Sequence, residues 1–327
     1  MTGARAGLVG LGQAVPPTVR TNDDPVFDWL HQHHPPGEDL FEGYVTRRVL
    51  APGEALVDLM EQAARQALAA SRVPAAEIDQ LVGYASAGEY LTPNTLALLH
   101  QRLGLAPRAA VVPIGGEFST FNYSLVLADG VIRAGRARHV LIAVGGDWTR
   151  LVDYHTPQAI SAGDGAGAAV LAETSDAAAF SVVDVEVEVA ARYYGSMYLA
   201  GDPVPDQPSL FTAPTFHITP AGQEGFKQFG ITAPPAVANR LLARNRLSGS
   251  DIALISHQAS AVLIDRWAAA ITPRQYLHTL PELANMTVAN VPVNLARFAG
   301  RFATDHVVLL SVGAEMHASA VLLRRAG

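Results

Sequence analysis

The sequence predicts an α/β fold in which sheets and helices are stacked in layers. Segments with strand-like and helix-like patterns alternate along most of the 327 residues, which is typical of sheets covered by helices. Some strand-like segments, such as residues 139–144, are continuous apolar runs, as expected for strands covered on both faces. The hydrophobic fraction of 49% is sufficient to fill a large core.

The first half of the chain begins with a strand and a turn. An apolar run over residues 6–15 is interrupted by glycines and stopped by two prolines, which argues against a signal peptide. After an irregular stretch over 24–42, apolar residues at helical spacing predict a helix over 56–67. We further predict strands over 81–84, 109–112 and 139–144, a helix opened by Thr92 and Pro93, and a helix over 119–135 capped by Gly135.

The same order of elements then starts again. Residues 182–189 alternate as a strand, 236–247 are helical, and a strand over 254–256 ends at His257. A helix over 261–271 and closing strands over 307–310 and 320–323 complete the chain. This order predicts two similar halves, residues 1–175 and 176–327.

Composition excludes several classes of function. The formal charge of −7 argues against a nucleic-acid surface. The absence of cysteine excludes disulfides, thiolate metal sites and a cysteine nucleophile. No stretch approaches the roughly 18 apolar residues of a membrane-spanning helix. We therefore expect a soluble, cytoplasmic protein.

Motifs along nearly the whole chain resemble β-ketoacyl-ACP synthase III. They match that family's first loop, nucleophile helix, glycine-rich segment, His-Gln-Ala motif and asparagine segment. The matching residues are Val15, Pro16 and 20–22; Phe121, Tyr123, Leu125, Ala128, Asp129, Ala134 and Gly135; 163–171; 257–259; and Asn285 with Thr287, Ala289 and Pro292. The resemblance implies a thiolase fold, a duplicated five-layer αβαβα architecture that is usually homodimeric.

Phe118 stands where the family carries its nucleophilic cysteine. In the family that cysteine, at a helix start which lowers its pKa, takes an acyl group from a thioester. Phenylalanine cannot carry an acyl group, so Phe118 either fills a degenerate pocket or is an engineered replacement of the cysteine. The resemblance places His257 and Asn285 in the active site, where they polarise a thioester carbonyl and stabilise an enolate.

Two neighbours of Phe118 are further candidates for catalysis. Ser119 is either a nucleophile or a helix cap, and the 100° step of a helix turns it away from the side that residue 118 faces. Glu117 is either a general base or a solvated or hydrogen-bonded carboxylate near a dimer interface. Glu315 and His317 replace a glycine-rich turn of the family. They either orient His257 or contact a polar substrate, or they lie in a surface turn.

The position of the family's adenine clamp is also altered. Gly37 and Phe41 stand where the family has a tryptophan and an arginine, and Trp29 lies out of register. A carrier protein is then a more suitable thioester donor than CoA. An acidic carrier needs a basic patch, for which Arg47, Arg48 and Arg244 are the candidates.

These observations predict an acyltransferase or ketoacyl synthase-like enzyme that works without an acyl-cysteine. It would perform acyl transfer, condensation or decarboxylation on acyl or malonyl thioesters, in fatty-acid-like or polyketide and antibiotic biosynthesis. We expect no cofactor or metal, a thioester on carrier protein or CoA as substrate, and a homodimer or a heterodimer with a paralogue. The alternative is a non-catalytic subunit that partners an active paralogue, motivated by Phe118 and the altered clamp.

Overall fold

The computed structural model describes residues 6–35, 39–86, 88, 90, 92–173, 180–201, 203–204, 207–314 and 316–325. These residues form strands β1 (Ala6–Ala14), β2 (Val19–Thr21), β3 (Thr46–Arg48), β4 (Gln80–Ala85), β5 (Ala110–Pro113), β6 (His139–Asp147), β7 (Asp164–Glu173), β8 (Phe180–Val189), β9 (Met197–Ala200), β10 (Pro203–Val204), β11 (Gln207–Phe211), β12 (Thr215–Ile218), β13 (Ile252–Ser256), β14 (Gln275–Tyr276), β15 (His306–Gly313) and β16 (His317–Arg325). The helices are α1 (Asp28–His33), α2 (Leu56–Ser71), α3 (Thr95–Leu103), α4 (Thr120–Arg133), α5 (Pro220–Arg244), α6 (Ala261–Ile271), α7 (Leu280–Leu283) and α8 (Asn290–Phe298).

Ten strands form a sheet made of two groups of five. The order is β14-β13-β15-β16-β8-β1-β7-β6-β4-β5, and the groups meet where Leu8 of β1 pairs with Phe180 of β8. In each group two parallel pairs are followed by two antiparallel pairs, so β5-β4-β6-β7-β1 repeats the topology of β14-β13-β15-β16-β8. The predicted boundary between 175 and 176 falls within residues 174–179, which lie outside the described residues, so it stays a prediction.

Helices cover both faces of each group of strands. Alternate residues of a strand point to opposite faces, so Val82 packs in the central core and Leu81 in an outer one. The central core contains side chains of α4 and α8 together with strands of both groups. Helices α2 and α3 cover the outer face of the first group, and α5 and α6 cover that of the second. The chain therefore has five layers, with α4 and α8 in the middle.

Both central helices begin beside the candidate site. Residues Glu117–Ser119 form a 3-10 turn that leads into α4, and Thr287–Ala289 form one that leads into α8. Strand β6 packs closely against the second turn, because a Cβ at Gly146 would clash with the Thr287 hydroxyl oxygen. Asn285 is held by its own backbone, whose N–H donates to Ser161 O at 2.7 Å and whose carbonyl accepts from Gly163 N at 3.0 Å.

Most predicted elements are confirmed, and two helix starts are wrong. Helix α3 begins after Asn94, whose side chain accepts from Leu96 N at 3.0 Å, so Thr92 and Pro93 precede the helix. Helix α5 begins at Pro220 after the Thr219 cap and runs through two internal prolines, well before the predicted start at residue 236. The stretch predicted as irregular contains α1. No helix in the described part of the chain is long and apolar enough to cross a membrane.

Candidate active site

A cavity of about 400 Å³ contains the residues that the motifs single out. His257, Asn285 and Phe118 lie in its wall. Most of the remaining wall is apolar, including Leu40, Ile160, Met197, Phe216, Ile218 and Phe226. His257 is 1% exposed and Asn285 is 7% exposed, so both polar side chains are held at a dry end of the cavity. This combination of apolar walls and a few fixed polar groups is typical of a small-molecule site.

His257 is held as a neutral imidazole at the end of strand β13. Its backbone N–H donates to Leu310 O at 2.8 Å, which extends the pairing with β15. The pKa of His257 is lowered to about 3, mainly by burial and slightly by His317, while hydrogen bonding with the Thr287 backbone acts in the opposite direction. The ring Nδ1 lies 3.0 Å from Asn290 Nδ2, whose amide is oriented by the hydrogen bond from Met286 N to Asn290 Oδ1. Because an amide nitrogen can only donate, Nδ1 accepts, and the neutral ring carries its proton on Nε2.

Asn285 presents its amide nitrogen in a similar way. Its Oδ1 accepts from Thr287 N and from Asn290 Nδ2, each at 2.9 Å. With the oxygen occupied, Nδ2 is the group left to face a ligand, and no described protein group accepts from it. His257 and Asn285 thus offer two N–H donors to one cavity. Two fixed donors of this kind can stabilise the negative oxygen of an enolate or a tetrahedral adduct.

Backbone strain is concentrated around these donors. Ala284 and Thr287, on either side of Asn285, have φ values of 53° and 50°, and Glu117 has a φ of 42°. Such left-handed conformations are unfavourable for residues with a side chain, by about 1–3 kcal/mol each, and persist where the surroundings enforce them. The strain therefore coincides with the turns that aim Asn285 and Phe118.

The Phe118 ring covers one face of His257. The two rings are stacked, with centroids 4.7 Å apart and planes 6° apart, and Trp148 meets Phe118 edge-on at 6.4 Å. Phe118 and Trp148 also line a second cavity of about 280 Å³, which includes Tyr84 and Glu117. Phe118 therefore stands between the cavity that holds the two donors and the cavity beyond it.

The structure does not bring Ser119 to the donor cavity. Ser119 is fully buried outside the cavity wall, and its Oγ accepts from Ser319 Oγ at 2.9 Å. The predicted capping role is wrong, because Ser119 occupies the N-cap position of α4 without a capping hydrogen bond from its side chain. Glu117 lines the second cavity rather than the first.

His317 lies in the core and not in a surface turn. It is 3% exposed, and its ring centroid lies 5.8 Å from that of Tyr123. Its influence on His257 is electrostatic, through the small lowering of the His257 pKa. The other candidate from this turn, Glu315, lies outside the described residues, as does Gly37 of the predicted clamp position.

The mouth of the donor cavity is acidic. Asp39 and Glu42 are exposed residues of the wall, and no lysine or arginine belongs to the wall that the structure describes. Phe41 is buried and packs edge-on against Phe27 at 5.2 Å.

The three arginines predicted to form a basic patch have other partners. Arg47 is 0% exposed, lies over the rings of Phe27 and Phe41, and donates to Asn22 Oδ1, so its assignment to a surface patch is wrong. Arg48 donates to Pro17 O at 2.9 Å. Arg244 pairs with Asp184 and Glu186.

Sequence reasoning missed two residues of the site. Asn290 forms hydrogen bonds to both His257 and Asn285, and Trp148 lines both cavities. A polar residue five positions after Asn285, at a helix start, was the available signal for Asn290. Among the described residues, no three side chains of histidine, aspartate or glutamate cluster closely enough to hold a metal ion.

Comparison with solved structures identifies the fold. A 3-oxoacyl-(acyl carrier protein) synthase III from Pseudomonas aeruginosa superposes with a TM-score of 0.81 at 23% identity, covering 99% of both chains. A priming β-ketosynthase of a polyketide biosynthetic pathway gives 0.85 at 22% identity, over 99% of this chain and 97% of that one. Cerulenin-bound OleA of Xanthomonas campestris gives 0.85 at 16% identity, over 98% and 97%. The predicted thiolase fold is confirmed.

Sequence comparison identifies the family. The model of 3-oxoacyl-[acyl-carrier-protein (ACP)] synthase III matches residues 114–190, which include Phe118 and the glycine-rich segment. The β-ketoacyl-[acyl-carrier-protein] synthase III of Rhodospirillum rubrum is 31% identical over 82% of this chain and 83% of its own length. The Rhodospirillum centenum protein of the same name is 30% identical over 94% of both chains. On this similarity across almost its whole length, the chain belongs to the β-ketoacyl-ACP synthase III family.

Proposed function

We propose that the protein forms the enolate of a malonyl-type thioester by decarboxylation and uses no acyl-enzyme. The observation that carries the proposal is the pair of buried N–H donors, from His257 and Asn285, in a largely apolar cavity whose nucleophile position is Phe118. These donors match the charge that develops on a thioester oxygen when CO2 leaves. His257 is neutral with its proton on Nε2, so it acts as a donor and not as a base.

The decarboxylation balances with the malonyl thioester and water alone. The bond between the carboxylate carbon and the α-carbon breaks, CO2 departs, and the electron pair moves through the α-carbon to the thioester oxygen. The two N–H groups hold that oxygen as an enolate. The α-carbon then takes a proton from water to give the acyl thioester. Alternatively it attacks the carbonyl of a second acyl thioester and expels a thiolate, which takes a proton from water. This is a condensation without transfer to the protein.

Removal of either donor should abolish most of the decarboxylation. We expect His257→Ala and Asn285→Leu each to lower kcat by about 100- to 1000-fold, the usual effect of losing one oxyanion donor. The assay follows CO2 release and conversion of malonyl to acetyl thioester by mass spectrometry. Ser119→Ala serves as a control because Ser119 lies outside the cavity wall, and its kcat should stay near wild type. Absence of turnover by the wild-type protein with any malonyl thioester would refute the proposal.

The acidic mouth of the cavity is unfavourable for thioesters that carry phosphate groups. Phosphate groups of CoA or of a phosphopantetheine arm would approach Asp39 and Glu42 without a cationic residue in the described wall. We expect the double variant Asp39→Asn/Glu42→Gln to lower KM for malonyl-CoA several-fold at low salt, with the gain shrinking as ionic strength rises. Malonyl-N-acetylcysteamine, which has no phosphate, is the matched control substrate and should show little change. An equal gain for both substrates would contradict a role of the carboxylates in repelling phosphate.

The wider setting belongs to the same proposal. The thioester comes from a carrier protein or CoA, within fatty-acid-like or polyketide and antibiotic biosynthesis in the cytoplasm, and the protein acts as a homodimer. The relatives named for synthesis on acyl carrier protein and the polyketide priming enzyme support the fatty-acid-like or polyketide part of this setting. The proposed chemistry uses no cofactor or metal, because the thioester itself stabilises the carbanion.

A second candidate is a non-catalytic subunit that partners an active paralogue. The observation in its favour is the Phe118 ring, which is stacked on His257 and occupies the boundary between the two cavities. Purification of a tagged protein from its source cells tests it. A stoichiometric paralogue that carries a cysteine at the position of Phe118 would support this candidate, and a strict homodimer would exclude it.

A further inference from the structure

We infer that Asn290 is the positioning residue that makes His257 and Asn285 donors toward the cavity. Asn290 is the first residue of α8, is fully buried, and lies outside the cavity wall, so it acts through its neighbours and not on the substrate. The catalytic meaning of the inference rests on the proposed function. The position of the proton on the His257 ring, which the inference assigns, can be measured without any activity assay.

One backbone group fixes the orientation of the Asn290 amide. Met286 N donates to Asn290 Oδ1 at 2.8 Å. The opposite orientation would face this N–H with the NH2 group of Asn290, two donors with no acceptor between them. The oxygen must therefore point to Met286, and Nδ2 must point to His257 and Asn285.

The orientation of Asn290 then determines the other two side chains. Its Nδ2 donates to His257 Nδ1 at 3.0 Å, so that ring nitrogen carries no proton and Nε2 does. It also donates to Asn285 Oδ1 at 2.9 Å, where Thr287 N donates as well. Both partners are left with N–H groups for the cavity. The buried amide of Asn290 thus orients both side chains so that each presents an N–H group to the cavity.

Replacing Asn290 by aspartate exchanges the hydrogen-bond donor that faces His257 for an acceptor, with almost no change in the shape of the side chain. A carboxylate accepts hydrogen bonds and donates none, so Asn290→Asp favours the proton of His257 on Nδ1 and leaves Nε2 as an acceptor. Asn290→Leu removes the bond to His257 and selects neither tautomer.

Asn294 provides a matched control on the same helix. It is also 0% exposed, donates to Gln258 Oε1 at 2.8 Å, and accepts from Thr279 Oγ1 at 2.8 Å. It has no hydrogen bond to His257 or Asn285 among the described residues. Asn294→Asp therefore introduces a buried carboxyl on the same helix without changing the partner of the imidazole.

The test is the tautomer of His257, read from long-range ¹⁵N–¹H spectra of histidine-labelled protein and assigned with His257→Gln. We expect the Nε2–H form in wild type and Asn294→Asp, the Nδ1–H form in Asn290→Asp, and a mixture in Asn290→Leu. A wild-type ring protonated on Nδ1, or an Nε2–H form that persists in Asn290→Asp, would overturn the inference. If Asn290→Asp fails to fold, Asn290→Leu still tests the inference, because a pure Nε2–H form in that variant would also overturn it.

Activity separates this inference from the proposed function. We expect Asn290→Asp to lower kcat for malonyl thioester decarboxylation by at least about 100-fold, as loss of an oxyanion donor does, with a small change in KM. Asn294→Asp should keep most of the activity. A wild-type protein without decarboxylase activity refutes the proposed function, and the tautomer spectra still support or overturn the role of Asn290.

Discussion

The Phe118→Cys variant is expected to acquire an acyl group from an acyl thioester, whereas the wild-type protein acquires none. Phe118 lies in the walls of both cavities and in contact with His257, so a thiol there would meet a thioester entering from the mouth. The thioester carbon bonds to the cysteine sulfur, and the donor thiol leaves with a proton. The expected change is therefore from no adduct on the wild-type protein to a stable covalent adduct on Phe118→Cys.

Two physical effects favour the reaction of the new thiol. The turn at Glu117–Ser119 leads directly into α4, and the positive end of a helix stabilises a thiolate. Loss of the ring also opens the boundary between the cavities, which makes room for the acyl chain. The exchange removes a half-buried aromatic ring, so we expect a loss of about 1–3 kcal/mol of folding free energy.

Intact-protein mass spectrometry after incubation with acetyl- and longer acyl thioesters measures the adduct. Phe118→Ala is the control for space alone, because it opens the same boundary without a thiol, and it should remain unmodified. An adduct on the wild-type protein would contradict the expectation and would direct attention to Ser119, which Ser119→Ala then tests. A Phe118→Cys variant that folds and stays unmodified would show that more than the nucleophile has been lost.

The sequence was sufficient to locate the site because each donor lies at the end of a recognisable element. His257 follows the apolar strand β13, and Asn285 precedes a run that matches the family's motif, so the fold brings them into one cavity. The contact between Phe118 and His257 could not be predicted in the same way. It depends on the rotamer of one ring and on the strained turn at Glu117, which no local pattern encodes.

Other errors have physical reasons of the same kind. Ser119 has the residue type and position of a helix cap, yet its hydroxyl is satisfied by Ser319, 200 positions away in sequence. Arg47 looks like a surface cation in sequence, but two aromatic rings and Asn22 compensate for its burial. In both cases a long-range contact replaced the role that local sequence suggests, which is how tertiary structure overrides local preference.

Acid should destabilise the protein through His257, and this is the second large effect that we expect. The pKa of His257 falls from its usual 6.5 to about 3 on folding, chiefly because burial disfavours the charged ring. Between these values the unfolded chain binds a proton that the folded protein does not. The contribution of His257 to the free energy of unfolding is therefore fully present above pH 6.5. It falls by about 1.4 kcal/mol per pH unit on acidification toward pH 3.

Asp164 opposes this trend over part of the range. Its pKa is raised to about 6, mainly by burial, so the folded protein binds a proton that the unfolded chain lacks between about pH 4 and 6. This term increases the free energy of unfolding as the pH falls. The total stability curve contains both terms, and a variant comparison is needed to isolate His257.

The comparison is between the wild-type protein and His257→Gln, with urea unfolding measured from pH 4 to 8. A neutral glutamine removes the titrating ring, while the Asp164 term remains in both proteins and cancels. We expect the stability of the wild type relative to the variant to fall by about 3 kcal/mol between pH 6.5 and pH 4, because about 1.4 kcal/mol is lost per unit. A constant difference between wild type and His257→Gln across this range would mean that folding leaves the pKa of the ring at its usual value, and that burial does not hold the ring neutral below pH 6.5.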